Sequence, residues 1–141
     1  MFHSAISKQI YMRRFGIYTF KKLYKVPIKA FSVLSPNDFV VNLKSESDFE
    51  KEVTKCHLPV LIDFYADWCA PCRKSGPILE SKANDLRTFK LVKVNVDHHP
   101  ELSEKFQVGG VPYFVLMKDG KKVGDLVGFN ESKLDSMLTA I

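Results

Sequence analysis

The chain has few cysteines. Three occur among its 141 residues, Cys56, Cys69 and Cys72, too few for the covalent framework of a small secreted domain. With two of them only three positions apart, cysteine use points to an intracellular compartment and to chemistry. No apolar stretch approaches the roughly 18 residues that cross a bilayer, so neither a transmembrane helix nor stable membrane association is expected. Internal repeats and low-complexity tracts are also missing. Acid is absent from one region: residues 1–37 hold no Asp or Glu, but seven basic residues, Lys8, Arg13, Arg14, Lys21, Lys22, Lys25 and Lys29.

That asymmetry changes the meaning of the net charge of +5. Residues 38–141 set fourteen basic residues against sixteen acids and carry −2, so the folded part gives no reason to expect a nucleic-acid partner. The positive charge belongs to the leader. At about 100° per residue, Phe2, Ile6, Ile10, Ile17, Phe20 and Tyr24 share one arc. Most basic residues lie opposite, although Arg13 intrudes on the apolar side and Gly16 weakens the helix. An acid-free, basic, amphipathic helix has the character of a mitochondrial transit peptide. A secretory signal needs an apolar core of about 7–15 residues, which this leader does not have. The alternatives are a basic tail or a helix lying on a membrane surface. Residues 1–37 are therefore expected to be a transit peptide and 38–141 a folded domain. Lys29-Ala30-Phe31-Ser32 loosely resembles a matrix-processing site.

Within 38–141, extended and helical patterns alternate. Phe39–Leu43 reads as a short strand, followed by a helix opened by Ser47 with Glu50 three residues on, a capping box. Pro59–Ala66 is almost continuously apolar, as expected of a strand buried on both faces. A helix from Ala70 to Thr88 follows, with Pro77 expected to kink it. Leu91–Val96 alternates like a strand, and Glu101–Phe106 forms a short helix. Tyr113–Met117 and Lys122–Val127 make a hairpin around Asp119-Gly120. Asn130 caps a last helix, Glu131–Ala140, with Leu134, Met137 and Leu138 on one face. This order implies an α/β layer fold, a central mixed β-sheet flanked by helices.

Cys69 and Cys72 stand where the buried strand ends and the long helix begins. At a helix mouth, unpaired backbone N–H groups and the helix dipole favour an anion. They lower the pKa of the first thiol, which makes Cys69 the expected nucleophile. Pro71 suits the first turn because its missing N–H costs nothing there. A half zinc site completed by His98 and His99 is the competing reading, but zinc patterns space their histidines about 3–5 residues apart. Asp63, alone in an apolar strand, is costly unless partnered or protonated, so its pKa is expected to rise. Taken alone, Lys93 reads as a solvated strand residue, Pro112 as a loop proline, and Cys56 as a free thiol of minor structural weight.

The segment DFYADWCAPC resembles the active-site segment of the thioredoxin family, and the resemblance extends over nearly all of 38–141. Ala70-Pro71 replaces the usual Gly-Pro, and Tyr65 stands where Trp is more common. The resemblance implies a thioredoxin fold and a thiol–disulfide oxidoreductase in which Cys69 attacks a substrate disulfide and Cys72 resolves the mixed disulfide. Asp63 matches the family's buried carboxylate, which assists proton transfer at the second cysteine, and Lys93 matches the lysine near it. Gly110-Val111-Pro112 matches a loop whose proline is cis. Trp68, Ala70, Pro71, Val111, Pro112 and Gly128 match the surface that docks partner chains. Tyr113 replaces the Thr usual after that proline. The implied function is reduction of protein disulfides by a monomeric mitochondrial (matrix) member of the family. It would be recharged by an NADPH-dependent thioredoxin reductase, with clients such as peroxiredoxins and with no metal or bound cofactor. The alternatives are a binding module of the same fold that docks without turnover, and an isomerase-like oxidoreductase of higher potential.

Overall fold

The computed structural model describes residues 36–141, so all but the last two residues of the expected leader, 1–37, lie outside the described residues. A five-stranded mixed sheet forms the centre, in the order β1-β3-β2-β4-β5. Strands β1 (Val40–Asn42), β2 (Val60–Tyr65) and β3 (Lys90–Asn95) run parallel. Strands β4 (Tyr113–Lys118) and β5 (Lys121–Val127) are antiparallel additions on the β2 side. The helices are α1 (Glu46–Phe49), α2 (Ala70–Leu86), α3 (Pro100–Lys105) and α4 (Glu131–Thr139). The α/β fold with a mixed sheet read from the pattern is the one observed.

Strand β2 lies between β3 and β4, and Val60 to Phe64 are all buried, which explains its unbroken apolar run. Its alternating side chains serve two cores. Val60, Ile62 and Phe64 pack with Phe49, Val53, Val92, Val94 and Tyr113 on one face. Leu61 joins Leu79, Ala83, Phe89, Leu91, Phe114 and Leu134 on the other. Each of the Val, Leu, Ile and Phe side chains among them, fully buried, contributes about 1.5–3 kcal/mol. The hairpin expected around Asp119-Gly120 is present: both residues have positive φ (50° and 73°), the conformation a two-residue turn between twisted strands requires. Asn130 caps α4 through its side-chain oxygen, which accepts the Lys133 N–H at 2.9 Å.

Several boundaries differ from the sequence reading. Pro36–Phe39 forms a 3-10 turn, so Phe39 precedes β1 instead of opening it, and its ring is buried in the second core. The first helix is capped by Ser45, not Ser47: Ser45 Oγ accepts the Asp48 N–H at 3.3 Å, and the Ser47 hydroxyl bonds to that of Ser45. The earlier start lengthens the helix, which passes into a π-helical turn at Glu50–Thr54, with Phe49 and Val53 still facing the core. Helix α2 ends at Leu86 because Arg87 turns left-handed (φ 52°) and returns its N–H to the Ala83 carbonyl. Pro77 lies inside that helix, where it cannot donate to the carbonyl four residues back.

Candidate functional site

Cys69 is the N-cap of α2, and Ala70 and Pro71 open the helix on its exposed first turn. The two cysteines form a disulfide, with Cα atoms 5.3 Å apart. Burial does not distinguish them: both are almost fully covered, packed with Ala66 and against Tyr65, Val96 and Val111. Hydrogen bonding does. Cys69 Sγ accepts the Cys72 backbone N–H at 3.2 Å, so the first sulfur holds the cap position. When the bond is open, that donor and the helix dipole favour a thiolate on Cys69.

The Val111–Pro112 peptide is cis, as the family resemblance implies. Pro112 is buried, and Val111 packs against the cysteine cluster. The Pro112 carbonyl accepts the Gly128 N–H at 2.8 Å. Gly128 has φ 73°, a region that side chains with a β-carbon seldom enter, so this glycine fastens the end of β5 to the proline loop. Trp68 is 68% exposed and Val127 72% exposed. Trp68, Ala70 and Pro71, which flank Cys69 and separate it from Cys72, are exposed and give the disulfide an apolar rim facing solvent.

Asp63 lies in the middle of β2, 1% exposed, and its Oδ1 has no hydrogen-bond partner among the described residues. Burial pushes its pKa up from 3.8 to about 7. The Lys93 ammonium opposes this rise, and the Glu80 carboxylate adds to it. Lys93 is in register with Asp63 on β3, so the expected proximity holds. Its ammonium nevertheless pairs with Glu80 Oε1 at 2.7 Å and lies 5.0 Å from the centroid of the Tyr65 ring.

Three features went unseen in the sequence. Asp97 Oδ2 accepts the Trp68 indole N–H at 3.0 Å. Asn95 Oδ1 accepts the Asp97 N–H at 2.9 Å, and Asn95 Nδ2 reaches Asp67 at 3.4 Å. This polar clamp ties the loop after β3 to the loop before the cysteines. Turn-forming Asn and Asp straight after a strand were its only signal. Glu80 gave none, because a helix glutamate usually just meets solvent. The third is a cluster beside the proline loop, where Tyr113 Oη donates to Asp125 at 2.5 Å and Lys122 contacts both. As for zinc, His99 is buried with Nε2 3.2 Å from the Leu43 carbonyl. Among the described residues no three His, Cys, Asp or Glu side chains converge on a point a metal could occupy. Cys56 is unbonded and half-buried against the first core.

A cysteine pair that closes into a disulfide at a helix mouth, next to an apolar rim, is built to trade disulfides with other proteins. The class it defines is the thiol–disulfide oxidoreductases. The thioredoxin family model matches residues 40–140. Thioredoxin-2 of Pyricularia oryzae is 40% identical over 101 residues, spanning 72% of this chain and 58% of that longer protein. The oxidised mitochondrial thioredoxin 3 of Saccharomyces cerevisiae is 29% identical, with a TM-score of 0.67 over 76% of this chain and all of that one. A chain from a structural study of thiol resolution in yeast mitochondrial 1-Cys peroxiredoxin by the glutathione and thioredoxin systems is 28% identical. Its TM-score is 0.66 over 72% of this chain and 95% of that one. This chain belongs to the thioredoxin family, and its activity is the reduction of protein disulfides by dithiol exchange.

Proposed function

We propose that the protein is a dithiol reductant of the mitochondrial matrix, acting as a monomer on client disulfides. The Cys69 thiolate attacks one sulfur of a client disulfide, forms a mixed disulfide and expels the other client sulfur as a thiolate. The Asp63 carboxylate takes the proton of Cys72, and the Cys72 thiolate attacks Cys69 Sγ. The second client thiol is released, and Cys69 and Cys72 are left as the disulfide seen in the structure. Two electrons pass to the client, and a thioredoxin reductase returns them from NADPH. Lys93 tunes Asp63. Trp68, Ala70, Pro71, Val111, Pro112 and Gly128 form the client-docking surface.

The observation that carries this reading is Cys69 Sγ at the helix cap, receiving the Cys72 N–H, with unpaired Asp63 buried in the adjacent strand. A docking module without turnover has no use for either. Residues 1–37, with seven basic residues and no acid, support mitochondrial import, as does the likeness to a mitochondrial yeast thioredoxin. Peroxiredoxins are the proposed clients, supported by the likeness to a chain studied with one. The test is NADPH oxidation coupled through thioredoxin reductase to reduction of a model protein disulfide. Turnover that depends on Cys69 is expected. Client binding without NADPH consumption would leave only the docking module.

A further inference from the structure

Lys93 stands beside Asp63 and pairs with another residue. The two are in register on neighbouring parallel strands, about 4.8 Å apart in the backbone, within reach of a folded-back lysine side chain. Yet the ammonium lies 2.7 Å from Glu80 Oε1, while Asp63 Oδ1 stays without a hydrogen bond. The placement follows from one ridge of α2. Cys72, Gly76 and Glu80 recur every fourth residue and share a helix face. Gly76 is the middle member: a β-carbon there would stand 3.7 Å from Lys93 Nζ, so the ammonium passes over bare backbone to its counter-ion one turn on. The charged groups acting on Asp63 are Lys93 from β3 and Glu80 from α2. From β4 the residue in register is Phe114, which carries no charge.

We propose that Glu80 is a positioning residue for disulfide exchange: by holding the Lys93 ammonium over Gly76, it keeps that cation from pairing with Asp63 and so preserves Asp63 as proton acceptor for Cys72. The proposal rests on the reading of Asp63 as that acceptor. The field of Glu80 acts in the same direction, since a second anion disfavours ionisation of the first. Removing Glu80 withdraws the repulsion and frees Lys93 to pair with Asp63. Both changes make Asp63 a weaker base.

The test uses the oxidised full chain with carboxyl-labelled aspartate, following the Asp63 carbon resonance by NMR from acid to alkaline pH; Asp63→Asn identifies the signal. In Glu80→Gln and Glu80→Ala the Asp63 midpoint should move to lower pH, with proton affinity falling at least about threefold, as expected for a partly screened charge. Glu80→Asp should restore part of the loss. In the Glu80→Ala background, Lys93→Met should reverse most of the movement, which a general loosening of the helix would not do. The pH profile of mixed-disulfide resolution, read by stopped flow, should move with the midpoint. An unmoved or raised midpoint in folded Glu80→Ala overturns the proposal alone. A lowered midpoint with an unchanged resolution profile overturns the reading of Asp63 as base, and the proposal with it.

Discussion

Asp63→Asn should stabilise the oxidised protein at alkaline pH and do little for it in acid. Burial raises the Asp63 pKa from 3.8 to about 7 in the folded state, whereas the unfolded chain keeps the ordinary value. Below about pH 4 the carboxyl is protonated in both states and adds no pH dependence. Between about 4 and 7 the folded protein holds a proton that the unfolded chain releases, so stability falls as pH rises. Above about 7 the folded protein must bury the charge, and the whole cost is present. A tenfold difference in proton affinity is about 1.4 kcal/mol, so 3.8 against about 7 amounts to about 4 kcal/mol. An Asn at this position is neutral throughout, and its amide oxygen inherits the Oδ1 site that the wild type also leaves unpartnered, so that cost is common to both proteins. The mutant should therefore gain up to about 4 kcal/mol over wild type at pH 8 and stay close to it near pH 4. Urea unfolding followed by circular dichroism measures this, because the single Trp68 is mostly exposed in the fold and reports unfolding poorly. Keeping the disulfide closed removes the Cys69 and Cys72 thiols from the titration. A mutant-to-wild-type difference that stays constant from pH 4 to 9 would refute the assignment of a desolvated carboxylate.

Three further outcomes are expected. Cys72→Ser should accumulate mixed disulfides with client proteins on non-reducing gels and Cys69→Ser almost none; equal trapping by both would undo the division of roles. Residues 1–37 fused to a reporter should deliver it to mitochondria, and reversing Arg13, Arg14, Lys21 and Lys22 to Glu should abolish import; import that survives the reversal would show that the leader is not a transit peptide. Ala70 is exposed on the first turn of α2, so Ala70→Gly should move the reduction potential by no more than about 30 mV, or about 1.4 kcal/mol for a two-electron couple; a larger change against a glutathione buffer would make Ala70-Pro71 a determinant of redox poise.

The elements legible in the sequence were those whose burial pattern is local. Val60–Tyr65 reads as a central strand because it is apolar on both faces, and Asp119-Gly120 reads as a turn because few residues accept positive φ. Ser45 and Ser47 each precede an acid by three residues, so local sequence does not separate the true cap of α1 from its neighbour. Only the packing of Phe49 and Val53 relates the helix to the core. Phe39 has the β propensity of a strand residue, but its backbone turns so that the ring enters the core beside Leu91 and Leu61, a tertiary demand that no local pattern expresses.

The candidate site divides in the same way. Cys69, Cys72 and Pro71 belong to one turn, and Asp63 is visible as the one charge in an apolar run. Glu80, Asp97 and Asn95 are ordinary surface types whose roles exist only in three dimensions. Glu80 meets Lys93 across a gap of thirteen residues, and Asp97 meets Trp68 across twenty-nine. The costly member was therefore the easiest to find and its partners the hardest. An apolar side chain at position 63 would relieve the alkaline penalty, since replacing buried charge by well-packed apolar groups is often neutral or stabilising. The arrangement also leaves uncompensated a cost that Lys93 is close enough to reduce. A purely structural aspartate would be paired with that lysine. Here Lys93 pairs with Glu80 and Asp63 keeps a bare oxygen, an arrangement that makes sense for a carboxyl whose proton is meant to come and go near neutral pH.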